Sequence, residues 1–218
     1  MMPREICPLP PSVNYEAHCL LVQQWTRDYR LRPECQVPPP GFVMRCVPST
    51  MALLCLSIGV EWLAGNVALE IGIGQGYLAY CLYKYGAKVR GVDLNQPIID
   101  SVASTAFGGH LELSVDDYED GAFNYMCFGN RLPTVVTMLI GSLGLVEKLV
   151  YDFVTHKHME VICFMKPCSG YQPDLGKRVS ALVDRYHWGF EEHPLYLSGS
   201  RAKRWAVIIH RTKRKVSS

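Results

Sequence analysis

Between positions 67 and 210, short apolar runs alternate with stretches whose apolar residues recur at helical spacing. The runs predict strands over 67–71, 88–93, 111–115, 123–128, 160–165, 191–196 and 204–210. The helical spacing predicts helices over 77–85, 96–105, 134–155 and 174–186. A further helix starts at Ser49 or Thr50, either of which can cap it. It runs through Met51, Leu54, Leu56 and Ile58 to about Leu63, and Ala64-Gly65-Asn66 stops it. Strands this short and this continuously apolar belong in a parallel sheet covered on both faces by helices. The last two lie too close together for a crossover helix, so they should pair antiparallel at the sheet edge. The expected fold is therefore α/β and Rossmann-like, with a seven-stranded sheet.

The first fifth of the chain follows another pattern. Nine of the fourteen prolines fall in residues 1–48, Pro38-Pro39-Pro40 among them. One helix is expected there, over 15–29, where Leu21, Trp25 and Tyr29 are helically spaced. Three segments result: a proline-rich extension over 1–48, a domain over 49–211 and a basic tail over 212–218. The chain is 49% apolar and 19% charged, which excludes collagen, low-complexity disorder and a disulfide-stapled miniprotein. No stretch approaches a membrane span, and no apolar leader is expected at the start.

Charge and cysteine change the picture in two places. Residues 201–218 hold seven Arg/Lys and no acid, leaving fifteen basic against twenty acidic residues elsewhere. The basic end suits either phosphate contacts or a solvated tail. The nine cysteines include no CxxC pair, and several sit inside apolar runs, which fits reduced thiols in a cytoplasmic compartment. A zinc site built from Cys163, Cys168 and a nearby histidine is the other option for them.

The candidate chemistry lies in Glu70-Ile71-Gly72-Ile73-Gly74-Gln75-Gly76, three alternate glycines between a strand and a helix. Glycines there permit positive φ and close backbone approach to a ligand. Seventeen residues after Gly76, the second strand ends in Asp93, an acid placed to accept both hydroxyls of a ribose. A pyrophosphate is disfavoured because Glu70 would repel it. A ligand whose end is cationic would be attracted, which points to S-adenosylmethionine.

These two segments resemble the first motifs of class I S-adenosylmethionine-dependent methyltransferases. Val115-Asp116-Asp117-Tyr118-Glu119-Asp120 is similar to the family's third-strand motif, which implies Asp117 beside the adenine, with Asp116 as competitor. Residues 145–150, Met165-Lys166-Pro167 and Pro194-Leu195 are similar to the ribose 2′-O-methyltransferases of RNA viruses, flavivirus-like ones above all. That resemblance implies a Lys-Asp-Lys-Glu tetrad, of which only Lys166 is matched. Helical Ala52 stands where the first lysine belongs, Gly129 and Asn130 where the aspartate belongs, and Arg201–Trp205 where the glutamate belongs.

The resemblance thus implies methyl transfer to RNA, capped in the viral case and among replication proteins, at a ribose 2′-oxygen or a guanine N7. Lys166 and Asn130 are the catalytic candidates. Asp152, Glu191 and Glu192 are the alternative sources of charge. Two other readings stand beside this one: an inactive methyltransferase-like domain that binds RNA or a replication partner, and a methyltransferase acting on small molecules or proteins. In the extension, Arg27, Arg30 and Arg32 with Tyr15, Trp25 and Tyr29 form a candidate cap contact. Trp62, Trp188 and Trp205 are expected in the core, and His156 and His158 at a helix end.

Overall fold

The computed structural model describes residues 20, 50, 54, 63–126, 130–139, 142–165, 173–196 and 203–211, without the side chains of 173–175, 191–196 and 203–205. Seven strands form one sheet: β1 (Val67–Ile71), β2 (Lys88–Asp93), β3 (Glu112–Val115), β4 (Val135–Met138), β5 (Val161–Met165), β6 (Gly189–Tyr196) and β7 (Lys203–His210). Among the described residues, the helices with described bounds are α1 (Tyr77–Lys84), α2 (Gln96–Ala103), α3 (Leu143–Thr155) and α4 (Pro173–Tyr186). The order across the sheet is β3-β2-β1-β4-β5-β7-β6. Strands β1 to β5 pair in parallel, and β7 runs antiparallel to both β5 and β6. The antiparallel edge is therefore where the short final connection predicted it.

Alternation along the strands sends side chains to two cores. Ala68, Val89, Val135 and Ile208 pack with α1, α2 and the buried Leu54 and Leu63. Leu69, Val92, Val136, Met138 and Ile162 face the other way, against Val146, Leu149 and Phe153 of α3 and Val179 of α4. Every residue of β1, β4 and β5 is buried, as continuous apolar strands under two helical layers require. Thr50, Leu54 and Leu63 are helical, in keeping with the helix expected over that stretch, and so is Leu20 within the one expected over 15–29.

Two expectations are overturned. Residues 123–126 form no strand, and the helix expected over 134–155 divides into β4 and α3. The segment 123–126 alternates buried and exposed residues like a strand, but Arg90 captures its backbone. This buried guanidinium, 5% exposed, donates to the carbonyls of Asn124 and Met126. It also donates to Ser114 Oγ at 3.1 Å and Asp116 Oδ2 at 3.2 Å. Backbone groups tied to a side chain are not available to a neighbouring strand. Phe123 and Tyr125 pack edge-to-face on each other and on Tyr118 instead. The β-branched run Val135-Val136-Thr137 takes the vacant place beside β1. Ser142 then starts α3 by accepting from the N–H of Leu145.

Candidate cofactor site

The sheet order reverses between β1 and β4: the chain moves outward from β1 to β3, then returns to β1's other side. In open α/β sheets such a switch leaves a crevice at the carboxyl ends of the strands. The glycine loop 72–76 lies at that end of β1. Gly72, Gly74 and Gly76 all have positive φ, at 66°, 52° and 75°. Gly76 is the N-cap of α1, in the left-handed region, where an added Cβ would stand 3.2 Å from Val102 and 3.3 Å from Phe107. The loop is seated on β2 by the N–H of Ile73, which donates to Val92 O at 2.9 Å.

Asp93 closes the same loop. Its Oδ2 accepts from Gly74 N–H and its Oδ1 from Asn95 N–H, both at 3.1 Å. Each oxygen keeps a lone pair for a further donor. Leu94, 68% exposed, and Val115, 44% exposed, stand bare at the same edge and offer an apolar seat for a flat ring. Sequence reasoning passed over both. An apolar residue next to the strand-end acid was the available signal.

The two acids of the third-strand motif divide their work. Asp116 is held by Arg90, and its N–H donates to Asp93 O at 3.2 Å. The Asp117 carboxylate is exposed, with only the N–H of Glu119, at 2.8 Å, as described partner. Of the pair, Asp117 is the more exposed.

Glu70 lies in β1, within the strand expected over 67–71 and two residues before the first glycine of the loop. It is 3% exposed and turns under the start of α1, where the N–H of Ala79 donates to it. Its Oε2 has no hydrogen-bond partner, and neither do the two polar atoms of buried Gln75. Burial pushes the Glu70 carboxyl well above the ordinary carboxylate range; the Ala79 N–H opposes this and the charge of Asp93 adds to it. A raised folded pKa means that the folded chain holds this proton more tightly than the unfolded one. Stability from this group is full below the ordinary glutamate pKa and falls as pH rises through the folded value. Glu70→Gln is expected to flatten that fall and to raise Tm near neutral pH, read in thermal melts across a pH series.

Other expected site residues fare differently. Lys166, Gly129, Cys168, Ala52 and the extension's Arg27, Arg30, Arg32, Tyr15, Trp25 and Tyr29 lie outside the described residues; Lys166 directly follows the last residue of β5. Asn130 was placed by a strand that does not exist. It precedes β4 and adopts a φ of 73°, a turn conformation that asparagine tolerates. Asp152 does not reach toward the crevice. It is buried under Tyr118, Tyr125 and Lys148, which all bond its Oδ2. Glu191 and Glu192 fall on β6 at the sheet edge, their side chains undescribed. Cys163 is fully buried and its thiol is pushed up to about 12 by that burial, which disfavours the thiolate that zinc requires.

The architecture is that of the class I methyltransferases, and solved structures agree. The proposed RNA methyltransferase of Pyrococcus horikoshii superposes with a TM-score of 0.62 at 13% identity, covering 91% of this chain and 98% of that one. A methyltransferase from Pyrococcus furiosus gives 0.56 at 14% identity, with 92% and 99% covered. Human methyltransferase 10 domain containing protein gives 0.59 at 11% identity, covering 92% and 98%. No protein-family model matches the sequence, and no curated protein matches it. At these identities the likeness is one of fold.

Proposed function

We propose that the chain is an S-adenosylmethionine-dependent methyltransferase acting on RNA. The carrying observation is the pairing of Asp93 with Glu70 around one glycine loop. Two carboxyls lie close enough for one to raise the other's proton affinity, and one has an unsatisfied oxygen. Such a pair attracts a cation and repels a phosphate. The residues fit the cofactor: Asp93 for the ribose, Glu70 and Gly72, Gly74 and Gly76 for the methionine end, and Asp117 with Leu94 and Val115 for the adenine. When bound, the cofactor supplies a methyl group on a sulfonium. Because a cationic ligand favours ionised Glu70, cofactor affinity is expected to rise with pH through the Glu70 titration.

RNA is favoured as acceptor by the basic end of the chain and by the name of the Pyrococcus horikoshii relative. The test is transfer of labelled methyl from S-adenosylmethionine to total RNA, with DNA, protein and small-molecule pools beside it. Label confined to a non-RNA pool refutes the acceptor. A ribose 2′-oxygen needs a base, whereas a ring nitrogen such as guanine N7 needs only placement. Lys166→Ala is expected to lower kcat about 100-fold for a ribose acceptor, the size of a positioned base. An unchanged kcat would assign the acceptor to a ring nitrogen. The resemblance to viral cap enzymes leads to capped RNA as the first defined acceptor to try.

A further inference from the structure

The end of the sheet opposite the glycine loop carries a feature that the cofactor reading does not use. There α4 ends, β6 begins and β7 leaves the sheet. Tyr186, 38% exposed, stacks on Trp188 with ring centres 4.8 Å apart and planes 16° apart. Three cations surround the pair. Lys157 Nζ lies 5.8 Å and Arg185 Cζ 5.5 Å from the Tyr186 ring centre, and Arg211 Cζ lies 4.9 Å from that of Trp188. Arg211 is fixed by bonds to the carbonyls of Met159 and Phe153. Trp188 is anchored edge-on against Phe153. The pair is thus a rigid shelf with Tyr186 outward. An acid borders it, Glu160, whose charge acts on Arg211.

We propose that this shelf is a second contact surface for a single strand of RNA. The proposal rests on the RNA reading above and extends it. Aromatic faces flanked by cations suit unpaired bases and phosphates together, because every base has a π-face and every linkage a charge. The shelf stands two to four strand spacings from β1 and at the other end of the strands, roughly 20 Å from the loop. A small-molecule acceptor cannot occupy both places, whereas an extended polymer can. The shelf would hold the strand while another part of it lies at the crevice.

The test is fluorescence anisotropy with a labelled unstructured RNA and the full chain, without cofactor. Tyr186→Ala and the double variant Lys157→Glu, Arg185→Glu change exposed side chains, and thermal melts check that both remain folded. Tyr186→Ala is expected to weaken binding about 5- to 100-fold, the range for one lost base stack. The double variant is expected to weaken binding and to flatten its salt dependence. A duplex of the same composition should not respond to Tyr186→Ala; an equal loss there would refute the single-strand assignment. If the wild-type chain binds RNA and both variants match it within twofold, the shelf is refuted alone. If the wild-type chain binds no RNA, the RNA reading falls with it, while a cofactor titration of the same sample still reports on the loop.

Discussion

Asp93→Ala is expected to abolish measurable binding of S-adenosylmethionine in a calorimetric titration where the wild-type chain binds it. Two effects combine. The variant loses the acceptor for a ribose diol, and hydrogen bonds to a charged group are worth about 1.5–3 kcal/mol each. It also frees the N–H groups of Gly74 and Asn95, so the loop keeps only the Ile73 N–H to Val92 O bond of its two described ties to β2. Even about 2–4 kcal/mol corresponds to roughly 30- to 1000-fold in affinity. Asp93→Asn separates the two, because its amide oxygen still accepts one N–H while the charge is gone. An intermediate affinity is expected for it. Wild-type binding that Asp93→Ala leaves intact would remove Asp93 from the site. No heat from the wild-type chain would refute the cofactor reading and favour a methyltransferase fold reused for binding.

The second large effect falls on stability. Asp152→Ala should lower the unfolding free energy by about 3 kcal/mol, the lower end for breaking a buried, hydrogen-bonded charge pair. For a chain of this size that is roughly 6–12 °C in Tm. One oxygen of Asp152 collects both tyrosine hydroxyls and the Lys148 ammonium, the last at 2.9 Å. Removing it takes the shared acceptor from two buried hydroxyls and leaves them to bond each other, at 3.2 Å. Burial already pushes the Tyr118 hydroxyl far above the ordinary tyrosine value, with Tyr125 and Asp152 adding to it. Because that folded pKa is raised, the stability it carries is present below about pH 10 and is lost as pH climbs further. Tyr118→Phe should cost less, about 1 kcal/mol, since Lys148 and Tyr125 keep their acceptor. A Tm unchanged in Asp152→Ala would show that the cluster is no staple. The cluster also pins the connection that leaves Asp117, so the variant should bind cofactor more weakly as well as melt earlier.

The parts legible in the sequence were those governed by local rules. The limits of β1 and β2 follow from turn residues on either side, Gly65-Asn66 before β1 and Tyr85-Gly86 before β2, and the glycine loop and Asp93 follow from them. The edge pair β6 and β7 was readable because its connection is short. The displaced fourth strand was not, because Arg90 acts from another strand, 34 residues away from Asn124. Only a folded sheet brings that guanidinium to those carbonyls. Gly141-Ser142, between the two halves of the supposed long helix, was the local signal available, a breaker followed by a cap. Asn130 was placed by the strand expected over 123–128 and lies instead in a turn before β4. The Asp152 cluster escaped for the same reason as Arg90: its members come from two distant segments, and no spacing rule joins Tyr118 to Asp152.

The pairing of β1 with β4 has a consequence for how the chain is made. Ala68 sits beside Val135, so the centre of the sheet closes only after some seventy further residues exist. A ribosome therefore displays β1 with one side unpaired while β2 and β3 have already docked on the other. That open side belongs to a strand in which every residue is buried in the finished molecule. Until Val135–Met138 emerges, it is a template for pairing between neighbouring nascent chains. The yield of soluble protein is then governed by the interval between synthesis of β1 and arrival of β4, a property of strand order and not of final stability.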